Sequence, residues 1–137
     1  NNLEDLKKLY ASGKRVDCFN RFGESLLNMA CRRGFNDIVQ FLLKDALVAL
    51  RVRDDCGRTP LHDACWNPSP LLDICKWIIQ REPALFLIAD KRGFTPFMYA
   101  RPEHYGIWRQ FLFDNRHYLK VLSYEEMKST LAAAPAQ

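Results

Sequence analysis

The stretch GRTPLHDACW, residues 57–66, places a histidine, an aspartate and a cysteine within four residues. Residues of these types can form a nucleophilic site or bind a metal ion. A set of zinc ligands can be drawn from Cys56, His62, Cys65 and Cys75. Whether the stretch occurs once or recurs decides between chemistry and a structural role.

The stretch recurs along the chain, which indicates an internal repeat rather than a single site. GRTPLHDA at 57–64 aligns with GESLLNMA at 23–30 and with GFTPFMYA at 93–100, so the three glycines are 34 and 36 residues apart. Each glycine follows an Asn or Asp three residues earlier, and each block precedes a second run of apolar residues. His62 therefore occupies a slot that holds Asn28 and Met98 in the other copies, which argues against a catalytic role.

This pattern resembles the ankyrin repeat, a unit of about 33 residues with the signature T-P-L-H-x-A. Residues 57–66 match the signature in full and the other two copies match in part. Residues 3–13 resemble the second helix and terminal glycine of an earlier repeat whose first half is absent. The resemblance implies a mainly α fold, an ankyrin-repeat solenoid of stacked helix-turn-helix units joined by β-hairpin-like loops.

The whole chain, residues 1–137, is then expected to be a single ankyrin-repeat domain. Its expected parts are a truncated first repeat at 1–16, a second repeat at 17–50, a third at 51–87, a fourth at 88–117, and a C-terminal capping helix and tail at 118–137.

Local sequence features support these units. Ser25, Thr59 and Thr95 suit the N-cap position at the start of the first helix of each repeat. The sequence SYEE at 123–126 has the capping-box spacing and predicts a further helix, either a cap on the solenoid or the start of a linker. The sequence NPSP at 67–70 replaces the usual glycine turn and adds two residues, which predicts a stiffened turn or a functional excursion of the chain.

The resemblance also assigns the residues that first suggested chemistry. In the ankyrin family the histidine of the signature bonds backbone between repeats, so His62 is expected to be structural and Met98 to weaken this interlock at the last repeat. Five cysteines without a CxxC pair indicate neither a disulfide framework nor a common zinc module. We expect only Cys56 and Cys18 to be exposed. The sequence predicts no metal site and no cofactor.

Ankyrin proteins bind other proteins through loop tips and through the concave face of the first helices, so the resemblance implies contact positions in this chain. The predicted partner-binding residues are Arg21, Phe22, Arg32, Arg33, Arg58, Trp66, Lys91, Arg92 and Phe94. Equivalent positions of stacked repeats form rows, so we expect these residues along one side of the solenoid. Such a face favours an acidic or phosphorylated segment with an apolar anchor, for which Trp66 is the expected contact. The competing interpretation is a solvated face with stray aromatic residues.

The sequence thus predicts a non-catalytic protein–protein interaction module that acts on no small-molecule substrate. We expect a monomer and, because the chain opens without Met, a segment of a larger protein. No apolar run approaches the roughly 18–20 residues that cross a bilayer, so no membrane insertion is expected. Free thiols indicate an intracellular location, cytoplasmic or nuclear.

Three other function classes compete with this prediction. Nucleic-acid binding would use the same basic face, but the mild net charge of +4 argues against it. A purely structural scaffold domain would leave the same face without a partner. An enzyme would need titratable groups clustered in a pocket, and the recurrence of the GRTPLHDA block argues against that.

Overall fold

The computed structural model describes residues 2–119 and 123–133, and this part of the chain is mainly helical. The α-helices are α1 (Leu3–Ala11), α2 (Leu26–Arg33), α3 (Asn36–Lys44), α4 (Pro60–Trp66), α5 (Leu72–Arg81), α6 (Tyr105–Asp114) and α7 (Tyr124–Ala133). Short 3-10 helices occupy Pro83–Leu87, Pro96–Tyr99, Pro102–His104 and Arg116–Tyr118. In the described residues no β-strand forms, and a single bridge joins Phe19 and Ser25.

The helices stack in pairs, as expected for a repeat solenoid. The pair α2–α3 packs against the pair α4–α5, because α2 contacts α4 and α3 contacts α5. Helix α4 then contacts the 3-10 helix Pro96–Tyr99 of the fourth repeat. Aliphatic side chains of the second helices, including Val39, Leu42, Ile74 and Ile78, are completely buried between the layers. The fold predicted from the repeats is confirmed.

The first helices of the second and third repeats begin with reciprocal caps. The Ser25 hydroxyl accepts a bond from the Asn28 backbone N–H, and the Asn28 side chain accepts one from the Ser25 N–H. Thr59 and His62 repeat this arrangement at the start of α4. Each cap satisfies donors at a helix N-terminus that would otherwise lack partners.

The fourth repeat has a 3-10 helix where an α-helix was expected. Thr95 is its N-cap residue, but the Thr95 side chain makes no capping bond. The residue three positions later is Met98, which has no polar side chain to complete a reciprocal cap. Pro102 follows soon after, and a residue before proline is disfavoured in the helical conformation, so the segment cannot extend into a longer helix.

The loops between repeats are held by the Asn or Asp that precedes each glycine by three residues. Asp54 Oδ1 accepts bonds of 2.9 Å from the backbone N–H groups of both Cys56 and Arg58. Asn20 and Asp90 accept the equivalent bonds in their own loops. Gly57 adopts a φ of +79°, and a Cβ added there would lie 3.0 Å from the backbone nitrogen of Lys91. Glycine is needed at this point both for the left-handed backbone and for the close approach of the next loop.

The cysteines divide as predicted. Cys18 and Cys56 are exposed, whereas Cys31, Cys65 and Cys75 are buried in the core.

The predicted capping box at the start of the last helix is also confirmed. The Ser123 N–H donates to Glu126 Oε2 at 2.9 Å, and the Glu126 N–H donates to Ser123 Oγ at 3.2 Å. Helix α7 contacts the 3-10 helix Pro83–Leu87. Its role as a cap on the solenoid stays a prediction, and residues 120–122 and 134–137 of the expected capping helix and tail at 118–137 lie outside the described residues. None of the helices described combines the length and apolar character required to cross a membrane.

Candidate functional site

His62 serves as an inter-repeat connector. Its ring is fully buried, with Nε2 2.8 Å from the Phe94 carbonyl oxygen of the next repeat and Nδ1 accepting a bond of 3.0 Å from the Thr59 N–H. Since Nδ1 accepts, Nε2 must be the protonated nitrogen that donates to Phe94. Burial lowers the pKa of His62, which keeps the ring neutral. Every polar atom of the ring is used for structure, as the resemblance implied.

The residues at the position of His62 in the other repeats are Asn28 and Met98, and they differ in whether they can join two repeats. Asn28 Nδ2 donates to the carboxylate of Asp63 at 2.8 Å and lies 3.5 Å from the Arg58 carbonyl oxygen, so it also joins two repeats. Met98 has 63% of its surface exposed and replaces a hydrogen-bonding side chain. The last repeat therefore lacks the side-chain hydrogen bond by which Asn28 and His62 join the earlier repeats, in line with the weaker connection predicted there.

Asp63 and Cys65 do not complete a catalytic group with His62. Asp63 has only 1% of its surface exposed and its carboxylate bonds Asn28, so no substrate can reach it, and burial raises its pKa to about 7. A bond with Cys75 and burial raise the pKa of the Cys65 thiol, and a thiol that stays protonated is a poor nucleophile. Across the described residues, no three His, Cys, Asp or Glu side chains are grouped so as to hold a metal ion.

The geometry agrees with what comparison with known proteins finds. A family model described as ankyrin repeats, in three copies, matches residues 1–85. The chain belongs to the ankyrin-repeat family. None of the curated proteins compared with the chain matches it. Ankyrin-repeat domains are in general non-enzymatic modules that bind other proteins, so the surface of this solenoid is the candidate functional site.

Backbone bonds between consecutive loops bring the loop tips of this ankyrin domain together. The Asp55 N–H donates to the Phe22 carbonyl oxygen at 3.0 Å, and the Lys91 N–H donates to the Cys56 carbonyl oxygen at 3.0 Å. Residues at equivalent positions of the second, third and fourth repeats are therefore neighbours, although 34 and 36 residues separate them in sequence.

Three aromatic side chains chosen from the sequence are exposed. Phe22, Trp66 and Phe94 have 53%, 49% and 40% of their surface exposed. The Arg21 guanidinium lies 4.8 Å from the centre of the Phe22 ring, and the Arg92 guanidinium lies 4.9 Å from the centre of the Phe94 ring. A cation is thus held over an exposed aromatic ring in the first and in the last of the three stacked loops.

Two of the six predicted cations are engaged within the domain. Arg58 Nε donates to Asp54 Oδ2 at 2.7 Å, and Arg32 bonds Glu24 and lies 4.0 Å from Asp63. Burial raises the pKa of Glu24, but the bonds from Arg32 and Asn20 outweigh it and leave this pKa below its ordinary value. These two arginines mainly neutralise the domain's own carboxylates.

The other four cations, Arg21, Arg33, Lys91 and Arg92, are exposed and form no ion pair among the described residues. The pairing of Arg58 had a sequence signal, because Asp54 stands four residues before it in the same loop. The pairing of Arg32 had none, since Glu24 lies eight residues away across a helix start.

Proposed function

We propose that this domain binds an acidic or phosphorylated segment of another protein across its stacked loop tips and the adjacent ends of the first helices. The main observation that supports this proposal is the pair of 3.0 Å backbone hydrogen bonds that link the three loops. They hold several side chains from distant parts of the sequence in a fixed spacing. A rigid surface of this kind loses little conformational entropy when a partner binds.

The charges of the proposed surface support an anionic partner. Arg21, Lys91 and Arg92 belong to the loop tips, and Arg33 ends α2. Arginine pairs bidentately with carboxylates and phosphates, which gives geometric specificity as well as attraction. Arg58 and Arg32 already neutralise Asp54 and Glu24, so these two carboxylates oppose such a partner little, whereas Asp55 is an exposed carboxylate of the loop tip in the third repeat and opposes it.

The exposed aromatic residues support an apolar anchor in the same segment. Trp66 is the largest of them and ends α4, in the third repeat. A half-exposed tryptophan on a surface that also carries exposed arginines has the composition of a binding hot spot. We therefore propose that Trp66 contacts an apolar residue of the partner, while Arg33 and the cations of the loop tips contact acidic residues on either side.

The test uses labelled peptides and two matched variants of the domain. The peptides carry several glutamates around one leucine, with and without phosphoserine, and binding is measured by fluorescence polarisation. Arg21→Glu with Lys91→Glu should weaken binding about tenfold or more, which corresponds to about 1.4 kcal/mol or more. The control is Lys76→Glu with Arg109→Glu on the second helices, which changes the net charge by the same amount and should leave binding unchanged. Equal binding by both double variants would contradict the proposed surface.

Nucleic-acid binding through the same cations is the competing function, and the same assay separates the two. A labelled single-stranded oligonucleotide should bind weakly, with a steep loss of affinity as salt is added. An oligonucleotide that bound more tightly than every acidic peptide at physiological salt would favour the competing function. The three buried thiols accord with a reducing compartment, so we place the proposed function in the cytoplasm or nucleus.

A further inference from the structure

The chain contains three serine–proline or threonine–proline dipeptides, and the fold treats them differently. Thr59 precedes Pro60, is completely buried, and shares a 2.9 Å hydrogen bond with His62 Nδ1. Thr95 precedes Pro96 and is half-buried at the start of a 3-10 helix. Ser69 precedes Pro70, and its residue is exposed. The Ser69 hydroxyl bonds no group of the described residues, whereas its backbone N–H donates to Asn67 Oδ1 at 2.9 Å.

Ser69 stands on a loop that is longer than its counterpart in the second repeat. Two residues, 34–35, separate α2 from α3, whereas five residues, 67–71, separate α4 from α5. Asn67 and Ser69 each precede a proline, which biases both toward extended backbone. Asn67 has this conformation, with φ −56° and ψ 137°. Residues 67–69 form a bend outside any helix, so no regular element has to unfold before a kinase can bind Ser69.

We propose that Ser69 is a phosphorylation site for a protein kinase that requires proline after its acceptor serine, and that the phosphate weakens partner binding. Ser69 Oγ attacks the γ-phosphorus of ATP, and the bond from this phosphorus to the bridging β–γ oxygen breaks. ADP leaves, and the hydroxyl proton passes to the catalytic base of the kinase. The effect on partner binding rests on the function proposed above, but the modification itself does not.

The position of the loop explains why a phosphate there affects the binding surface. Asn67 Nδ2 donates to the Arg32 carbonyl oxygen at 2.8 Å, and a Cβ added to Gly34 would lie 3.1 Å from Leu71. Both ends of the loop thus rest on the C-terminal end of α2, where Arg33 is exposed. A phosphate adds a charge of about −1.5 to −2 at neutral pH. It repels an acidic partner that approaches Trp66 or Arg33, which lowers affinity.

The first experiment asks which residues of the folded domain accept phosphate. The domain is incubated with ATP and a proline-directed kinase, and the products are mapped by mass spectrometry. We expect one phosphate on Ser69, none on Thr59 or Thr95, and none on the Ser69→Ala variant. Synthetic peptides spanning 54–64 and 90–100 should accept phosphate on their threonines, because only the fold protects them. A folded domain that took no phosphate on Ser69, or took it equally fast on Thr59, would overturn the site.

The second experiment compares the phosphorylated and unmodified domains in binding the acidic peptides. We expect phosphorylation to weaken binding about tenfold, and kinase treatment of Ser69→Ala to have no effect. Equal affinity before and after phosphorylation would overturn the regulatory half of the proposal. If the unmodified domain bound no acidic peptide, the proposed function would fail, and the mapping of phosphate to Ser69 would still decide the modification site.

Discussion

Asp63→Asn should become more stable relative to the wild type as the pH rises from about 5 to 7. The Asp63 carboxylate is sealed between the second and third repeats, with 1% of its residue exposed. It accepts a bond of 2.8 Å from Asn28 Nδ2, and the nearest Arg32 nitrogen is 4.0 Å away. Burial raises its pKa from 3.8 to about 7, because one amide bond and two arginines do not replace the water that the carboxylate loses.

The sign and size of the effect follow from proton uptake. The folded domain keeps a proton on Asp63 up to about pH 7, whereas the unfolded chain releases it near 3.8. Between these values the free energy of unfolding falls by about 1.4 kcal/mol for each pH unit as the pH rises. The loss from pH 5 to 7 is about 2–3 kcal/mol, and above pH 7 it stays constant because both states are ionised. Asparagine cannot ionise and has no such loss.

His62 acts in the opposite direction in the same pH range. Burial lowers its folded pKa below 6.5, so the stability that the neutral ring supplies is lost as the pH falls below 6.5 toward the folded value. The two effects overlap below pH 6.5, so the wild type alone should show only a shallow pH dependence there. Subtracting the wild-type free energy of unfolding from that of Asp63→Asn removes the His62 contribution and isolates that of Asp63.

Urea unfolding followed by circular dichroism at pH 5, 6, 7 and 8 measures this difference. It should rise by about 1 kcal/mol or more for each unit up to pH 7 and then level off. Asp73→Asn is the matched control, since Asp73 is an exposed carboxylate on α5, and its difference from the wild type should stay nearly constant. A difference for Asp63→Asn that did not change with pH would refute the reasoning.

Three further outcomes test the scaffold. His62→Ala should lower the free energy of unfolding by about 1–3 kcal/mol, because the bond to the next loop is lost, and an unchanged melting temperature would count against this role. Gly57→Ala should cost more than Gly93→Ala: both glycines have positive φ, but only at Gly57 does a neighbouring loop lie within 4 Å of the added Cβ. Equal losses in thermal melts would mean that the loop contact is unimportant. A thiol reagent should modify two cysteines of the native domain, Cys18 and Cys56, and five after unfolding; rapid modification of a third native thiol would contradict the buried positions.

The scaffold could be predicted from the sequence because each of its key contacts is local or recurs with the repeat. Thr59 and His62 are three residues apart, and so are the equivalent Ser25 and Asn28, which sets the capping bonds at the start of both helices. The Asn or Asp before each glycine acts within its own loop. These interactions depend on sequence spacing alone, so they can be predicted without knowing how the repeats pack.

The electrostatics of the surface could not be predicted in the same way. Asp63 is buried because α2 covers it, and its raised pKa depends on how many donors the neighbouring repeat supplies. Arg32 lies near both Glu24 and Asp63, a relation that only the stacked arrangement creates. From the sequence alone, Arg32 and Arg58 are therefore predicted to be available to a partner, although in the structure they bond carboxylates of the domain itself.

The loops can be both rigid and available for binding because their backbone groups are bonded within the domain, whereas several of their side chains are exposed. In the third and fourth repeats an Asp side chain and the preceding loop accept bonds from the backbone N–H groups of the loop, so the loop needs no partner to stay folded. Side chains such as Arg21 and Phe22 are exposed and take no part in these backbone bonds, which leaves them available to a partner. Substitutions of Asp54 should therefore act on stability first and on binding through it, whereas substitutions of Arg21 should act on binding alone.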